Sequence, residues 1–316
     1  DMENIPLGVS SLLSSRLGYG CWRLAGTWNP DEVTPESESR GRQAVITAFE
    51  SGYTLFDNAD IYCHGVTERI LGDALRQVSG MRERVIVATK CGIRFAGDPD
   101  PEAPGRYDFS AAHILRSCEA SLKRMGIETI DLYQLHRPDY LANPSEIAEA
   151  FTKLKQAGKV RYFGVSNFRP TLVTALQVAC RMPLVVHQVE ISLAKLDCFT
   201  DGTFDQCLIE GLTPLAWSPL AQGLLGTGES SFAEKASSLP VTERIGPVID
   251  SMARSLGVKR TNVALAWLLK HPSKIVPIIG STNPERIREA VHAASLELSR
   301  EEWYRLLIAA RGERLP

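Results

Sequence analysis

Along the chain, short apolar runs alternate with longer segments whose apolar residues recur every three or four positions. The runs are SRLGYG (15–20), TLFDNA (54–59), VIVATK (85–90), DLYQLHR (131–137), YFGVSN (162–167), VVHQVE (185–190), TPLAWSP (213–219) and IVPIIG (275–280). Their length, β-branched and aromatic content and flanking turn residues predict eight strands. SRGRQAVITAFESG (39–52), AAHILRSCEASLKRMG (111–126), PSEIAEAFTKLKQAGK (144–159), RPTLVTALQVAC (169–180), TNVALAWLLKHP (261–272) and NPERIREAVHAAS (283–295) carry the helical period. Several of these stop at Gly or Pro, as helices do.

A helix after each strand returns the chain for a parallel neighbour, so the expected class is α/β. A doubly wound sheet and a closed barrel both satisfy the alternation. GYGCWR (18–23) supplies Gly18 and Gly20 of a dinucleotide fingerprint but has Arg23 at its third position. The predicted fold is therefore a (β/α)8 TIM barrel, with its active site at the C-terminal ends of the strands. IPLGVSSLLSS (5–15) reads as an N-terminal β-hairpin closing the opposite end, and the absence of a linker predicts one domain over 1–316. Three segments exceed ordinary loop length: 91–109, 221–240 and the tail beyond the eighth helix. Long loops in compact domains are usually functional, which places these on the catalytic side.

Composition narrows the classes. With 44% apolar and 23% charged residues in 316, the chain has ample material for a core. A net charge of −2 with scattered basic residues excludes nucleic acid and anionic membrane as partners. No apolar run is long enough to span a bilayer and the N-terminus lacks a signal pattern, so cytoplasm is the expected compartment. Seven cysteines without a CxxC pair argue against disulfides and structural zinc, and Cys63 beside His64 is too local to hold a metal.

The stretch FDNADIYCHG (56–65) puts ionisable groups where a core strand ends. Asp57 or Asp60 as a cap for the helix starting near Thr67, with Tyr62 a half-buried aromatic, is one account. That account leaves out Lys90 and His136, which end the next two strands. A phenol titrates near ~10, and a neighbouring ammonium lowers that value, while a carboxylate keeps the ammonium charged and aimed. Asp57, Tyr62, Lys90 and His136 are thus expected to face one barrel mouth.

FDNADIY, VIVATKCG, LYQLHRPD, YFGVSNF, HQVEISL, AWSPLAQGLL and IIGSTNPERIREAV resemble, in order and at suitable spacing, motifs of the aldo-keto reductase family over essentially the whole chain. The resemblance is greatest to bacterial members with HRPD after the fourth strand. It implies reduction of a small-molecule carbonyl to an alcohol by hydride from NADP(H), with Tyr62 as general acid, Asp57, Lys90 and His136 completing a tetrad, and no metal. It also implies a cofactor extended across the mouth along Gly20, Trp22, Asp57 and Ile279. Ser166, Asn167 and Gln188 would hold its carboxamide, and Trp217 would stack on its nicotinamide. Ser218, Pro219, Leu220, Gly223 and Leu224 would hold the pyrophosphate through backbone amides. Ser281, Thr282 and Asn283 would form an anion site at a helix N-terminus, with Arg286 on the adenosine 2′-phosphate. Gly280 and Ala290 stand where many members have lysine and asparagine, which weakens the expected NADP(H) preference. Trp22 and Trp28 are expected to line an apolar substrate cleft, and the short tail suggests a broad range of aldehydes and some ketones. A monomer or weak homo-oligomer is expected. Two other classes fit the same residues: a Schiff-base lyase or aldolase using Lys90, and a regulatory or scaffold protein that senses cofactor.

Overall fold

The computed structural model describes residues 1–226 and 240–316. Eight parallel strands close into a barrel in chain order: β1 (Gly18–Gly20), β2 (Leu55–Asp57), β3 (Ile86–Cys91), β4 (Ile130–Leu135), β5 (Val160–Ser166), β6 (Leu184–Glu190), β7 (Thr213–Trp217) and β8 (Val276–Ile279). β8 pairs back to β1 through Ile278 opposite Gly18. Every residue of β3 and β4 is buried, as expected where helices cover the outside and side chains fill the inside.

The outer helices are α1 (Pro35–Glu50), α2 (Val66–Gln77), α3 (Ala111–Met125), α4 (Pro144–Gln156), α5 (Pro170–Ala179), α6 (Thr203–Glu210), α7 (Pro240–Leu256), α8 (Arg260–Leu269), α9 (Pro284–Ala290) and α10 (Arg300–Arg311). Local chemistry sets their starts. Thr34 and Ser37 form a reciprocal capping box on α1, Ser110 caps α3, and Asn143 caps α4. α2 has no side-chain cap and begins after Gly65 at φ 94°, so neither Asp57 nor Asp60 serves as its cap.

β1 and β2 span only half of their apolar runs. Ser15 belongs to the N-terminal hairpin, Asn4–Pro6 against Leu13–Ser15, and the barrel strand starts only at Gly18. β2 stops at Asp57 because the Asn58 side chain turns to Thr67, accepting from Thr67 Oγ1 at 2.7 Å and donating to Thr67 O at 3.2 Å. The hairpin plugs the N-terminal end, with Ile5, Leu7 and Leu12 packed on Leu55, Ile86 and Val276, the first residues of β2, β3 and β8. Segment 91–109 forms a small antiparallel pair, Ile93–Arg94 with Arg106–Tyr107. Most of segment 221–240 lies outside the described residues. The tail docks on the barrel flank instead of the mouth: Trp267 Nε1 donates to Trp303 O at 3.1 Å and Trp303 Nε1 to Trp267 O at 2.8 Å, with rings stacked at 4.9 Å. No helix among the described residues is long and apolar enough to cross a membrane.

Candidate active site

Asp57 and Lys90 come from the ends of β2 and β3, His136 directly follows β4, and Tyr62 starts the helical turn Tyr62–Gly65. Lys90 Nζ donates to Asp57 Oδ1 at 2.8 Å, Asp57 Oδ2 at 3.0 Å, Asn58 O at 2.8 Å and Tyr62 Oη at 3.4 Å. Lys90 is 1% and Asp57 3% exposed, so either charge alone would be strongly penalised. Burial lowers the Lys90 pKa, but Asp57 and then Tyr62 raise it further, and the ammonium persists.

The Tyr62 phenol departs from the sequence expectation. Burial pushes its pKa up, Lys90 pulls it down, Asp57 pushes it up again, and the net shift is upward. The ring is therefore a protonated donor at neutral pH. Burial, then Lys90 and Arg137, hold the His136 pKa well below the usual imidazole range, so that ring is neutral. It meets Tyr62 edge-on at 5.9 Å, and its Nδ1 is buried with no hydrogen-bond partner among the described residues.

A polar network continues from this centre. Gln188 Nε2 donates to Asp57 Oδ2 at 3.1 Å, and Gln134 Nε2 donates to Gln188 Oε1 at 2.9 Å. Ser166 Oγ donates to Gln188 O at 2.9 Å. Asn167 Nδ2 donates to Ser166 Oγ and His136 O, both at 3.1 Å, and Trp217 Nε1 donates to Asn167 Oδ1 at 2.9 Å. Cys63, His64, Asn167 and Ser218 all adopt left-handed backbone, at φ 47°, 51°, 60° and 47°. Such strain is costly outside glycine and tends to be retained where side chains must be aimed.

All four tetrad candidates line one cavity of about 890 Å³ at the C-terminal mouth. Gly20, Trp22, Trp28, Ser166, Asn167, Gln188, Trp217, Ser218, Pro219, Leu220, Gly223, Ile279, Gly280, Ser281, Asn283 and Arg286 line it too. Leu224 and Thr282 are not among its described lining residues; Leu224 packs instead on the cluster under α7 and α8. Two expected phosphate contacts also change. The amides of Ala221, Gly223 and Leu224 donate to the carbonyls of Ser218, Leu220 and Ala221, so the turn consumes them. Asn283 Oδ1 accepts from Glu285 N at 2.9 Å and caps the seven-residue α9, and Ser281 Oγ accepts from Asn283 N at 3.1 Å in the turn before it, so both oxygens are already engaged.

Sequence reading missed Arg23, His64, Phe95, Arg137, Lys259 and Glu289, all of which line the cavity. Most sit on turns and loops, where no periodicity marks the inward face. Glu289 accepts from Asn262 Nδ2 at 3.0 Å and pairs with Lys259 Nζ at 3.5 Å. His64 stacks on Phe95 at 4.3 Å, and burial raises the Cys63 thiol pKa. No group of three or more His, Cys, Asp or Glu among the described residues could hold a metal ion. Exhaustive chelation should accordingly leave turnover unchanged; loss of activity restored by one particular metal would contradict this.

The Aldo/keto reductase family model matches residues 16–310. The chain is 39% identical to a 6-dehydroglucose reductase of Novosphingobium aromaticivorans, covering 98% of this chain and 96% of that protein. It is 37% identical to the 6-dehydroglucose reductase of Agrobacterium fabrum, covering 99% of each. Among solved structures, the aldo-keto reductase AKR11C1 of Bacillus halodurans, in its holo form, superposes with a TM-score of 0.81 at 26% identity, covering 98% of this chain and 96% of that one.

Proposed function

The chain belongs to the aldo/keto reductase family, and on that premise we propose that it reduces aldehyde and ketone carbonyls with NADPH, Tyr62 serving as the general acid. The observation that carries this reading is the buried Lys90 ammonium, held on Asp57 and directed at the Tyr62 hydroxyl at 3.4 Å.

A nicotinamide cofactor, when bound, supplies the hydride for the carbonyl carbon. The chain's own groups handle the rest. As negative charge grows on the carbonyl oxygen, the protonated Tyr62 releases its proton to it, and the adjacent ammonium stabilises the phenolate left behind. Neutral His136 serves as a hydrogen-bond donor to the same oxygen. Asp57 keeps Lys90 charged and is itself oriented by Gln188.

The residues present fit the cofactor. Trp217 is pinned by Asn167 as a flat aromatic wall, which suits a stacked pyridine ring. Ser166, Asn167 and Gln188 offer polar groups beside it for a carboxamide. A Cβ on Gly20 would meet Ile278 Cγ2 at 2.9 Å, so packing against β8 requires glycine at this edge of the cavity. Arg286 provides a guanidinium at the α9 end for a 2′-phosphate. Arg286→Ala should weaken NADPH binding roughly ten- to a hundredfold, since charge-assisted hydrogen bonds contribute about 1.5–3 kcal/mol, and leave NADH nearly unchanged. Equal weakening of both in a binding titration would make Arg286 structural.

The Schiff-base reading is disfavoured because Lys90 is an engaged ammonium with 1% exposure, whereas a nucleophilic lysine must present a free amine. Borohydride with substrate should add no mass at Lys90. The full tetrad also favours turnover over cofactor sensing. For substrate, the two relatives' names make 6-dehydroglucose the first candidate. Trp22 and Trp28 at 4.9 Å, the His64–Phe95 stack and Arg137 suit a hydroxylated carbonyl compound. A panel containing 6-dehydroglucose and simple aldehydes, assayed with NADPH and NADH, tests this. No carbonyl-dependent cofactor oxidation across that panel would overturn the proposed function.

A further inference from the structure

The place of Tyr62 beside Lys90 is not fixed by the phenol itself. Its contact with Lys90 Nζ, at 3.4 Å, is the longest of the four hydrogen bonds that the ammonium makes. The backbone that carries the ring is strained. Cys63 and His64 are left-handed and Gly65 follows at φ 94°, so no regular helical ladder holds the turn. Two outer contacts steady it: the His64 ring stacks on Phe95, and Gly65 lies where a Cβ would meet Arg124 Cδ at 2.6 Å. Neither of them touches Tyr62.

Thr67 does. Its hydroxyl, fully buried in the first turn of α2, shares one hydrogen between Asn58 Oδ1 at 2.7 Å and Tyr62 O at 3.2 Å. Both acceptors are carbonyl oxygens, so Thr67 is the donor to each, and α2 has no side-chain cap. Asn58, also fully buried, is fixed to the strand that carries Lys90. Its N donates to Ala88 O at 2.9 Å and its O accepts from Lys90 Nζ at 2.8 Å. These bonds make a closed circuit: Lys90 to Asn58, through the Thr67 hydroxyl to the Tyr62 backbone, and back to Lys90 through the phenol. Neither acceptor depends on Thr67 for a partner, since Tyr62 O also accepts from Val66 N and Asn58 Oδ1 from Ala59 N at 3.0 Å. The hydroxyl thus contributes geometry, and it is the one side-chain donor to the Tyr62 backbone among the described residues.

We propose that Thr67 is a positioning residue for carbonyl reduction: through Asn58 it sets the distance between the Tyr62 proton donor and the Lys90 ammonium. The inference rests on the reading of Tyr62 as general acid.

Two pairs of proteins isolate the hydroxyl. Wild type and Thr67→Val match in shape, while Thr67→Ser and Thr67→Ala both lack the methyl group, so the second pair decides the matter if Thr67→Val does not fold. The readout is the single-turnover rate of NADPH oxidation with the fastest carbonyl of the panel above. Thr67→Val should slow this step about five- to thirtyfold, because misplacing a reacting group by ~1 Å can cost up to about 10²-fold. The KM for the carbonyl and the affinity for NADPH should stay within about twofold. Thr67→Ser should remain within about threefold of wild type and Thr67→Ala should be as slow as Thr67→Val. The solvent deuterium isotope effect on the step should be larger in the two variants without a hydroxyl, as the displaced proton donor comes to limit it. Equal rates and isotope effects within each pair, or a loss of rate matched by an equal loss of NADPH affinity, would overturn the role of Thr67. Tyr62→Phe in the same assay reads the premise separately: near-wild-type turnover there would overturn the general-acid reading itself.

Discussion

Tyr62→Phe is expected to lower kcat for carbonyl reduction by at least about 10²-fold, the usual contribution of a general acid, while NADPH affinity stays within about twofold. The substitution removes one hydroxyl and keeps the ring. Phe at this position can retain the edge contact with His136 and the place beside Lys90, whose Nζ lies 5.3 Å from the ring centroid. Lys90 loses only its 3.4 Å acceptor and keeps Asp57 and Asn58 O, so the melting temperature should move by no more than a few degrees. The wild-type pH profile carries a second reading. Because the Tyr62 pKa is raised above its ordinary value of 10.0, the proton needed for reduction stays in place through neutral pH, and the rate should fall only above about pH 10. Near-wild-type turnover in Tyr62→Phe would remove Tyr62 from the chemistry.

That profile depends on something no residue pattern displays. The alternation of apolar runs and helical segments made all eight barrel strands legible, and the chemistry of Asp57, Lys90 and His136 at successive strand ends pointed to one mouth. An ammonium beside a phenol predicts a depressed pKa, yet the burial of Tyr62 outweighs Lys90, and burial is a property of the packed barrel rather than of the motif. The phosphate contacts show a related limit. AWSPLAQGLL suggested a row of free amides, but the turn closes on itself through Ala221, Gly223 and Leu224. Arg23 was visible only as the residue that broke a glycine fingerprint. Its guanidinium lies over the indole of the neighbouring Trp22, a contact within one turn that no periodicity marks.

Lys90→Met should have the largest combined effect, because one side chain supports both the fold and the proton donor. It leaves the Asp57 carboxylate buried at 3% exposure, with Gln188 Nε2 as its remaining donor, and strands the Asn58 carbonyl. Removing one partner of such a pair costs roughly 3–5 kcal/mol, and loss of the ammonium beside Tyr62 should cost a further 10²- to 10⁴-fold in kcat. The pH dependence has a definite sign. The folded-state pKa of Lys90 is raised above its value in the unfolded chain, so its contribution is complete below about pH 10.4 and declines as pH rises through the folded value. The stability gap between wild type and Lys90→Met, measured by urea denaturation, should therefore be constant from pH 7 to 9 and narrow only in stronger alkali. Combining Lys90→Met with Asp57→Asn removes the stranded charge and should recover much of the stability without recovering turnover. Recovery of both together would mean that Lys90 acts only through the fold, and the assignment of Tyr62 as an ammonium-supported acid would fail with it.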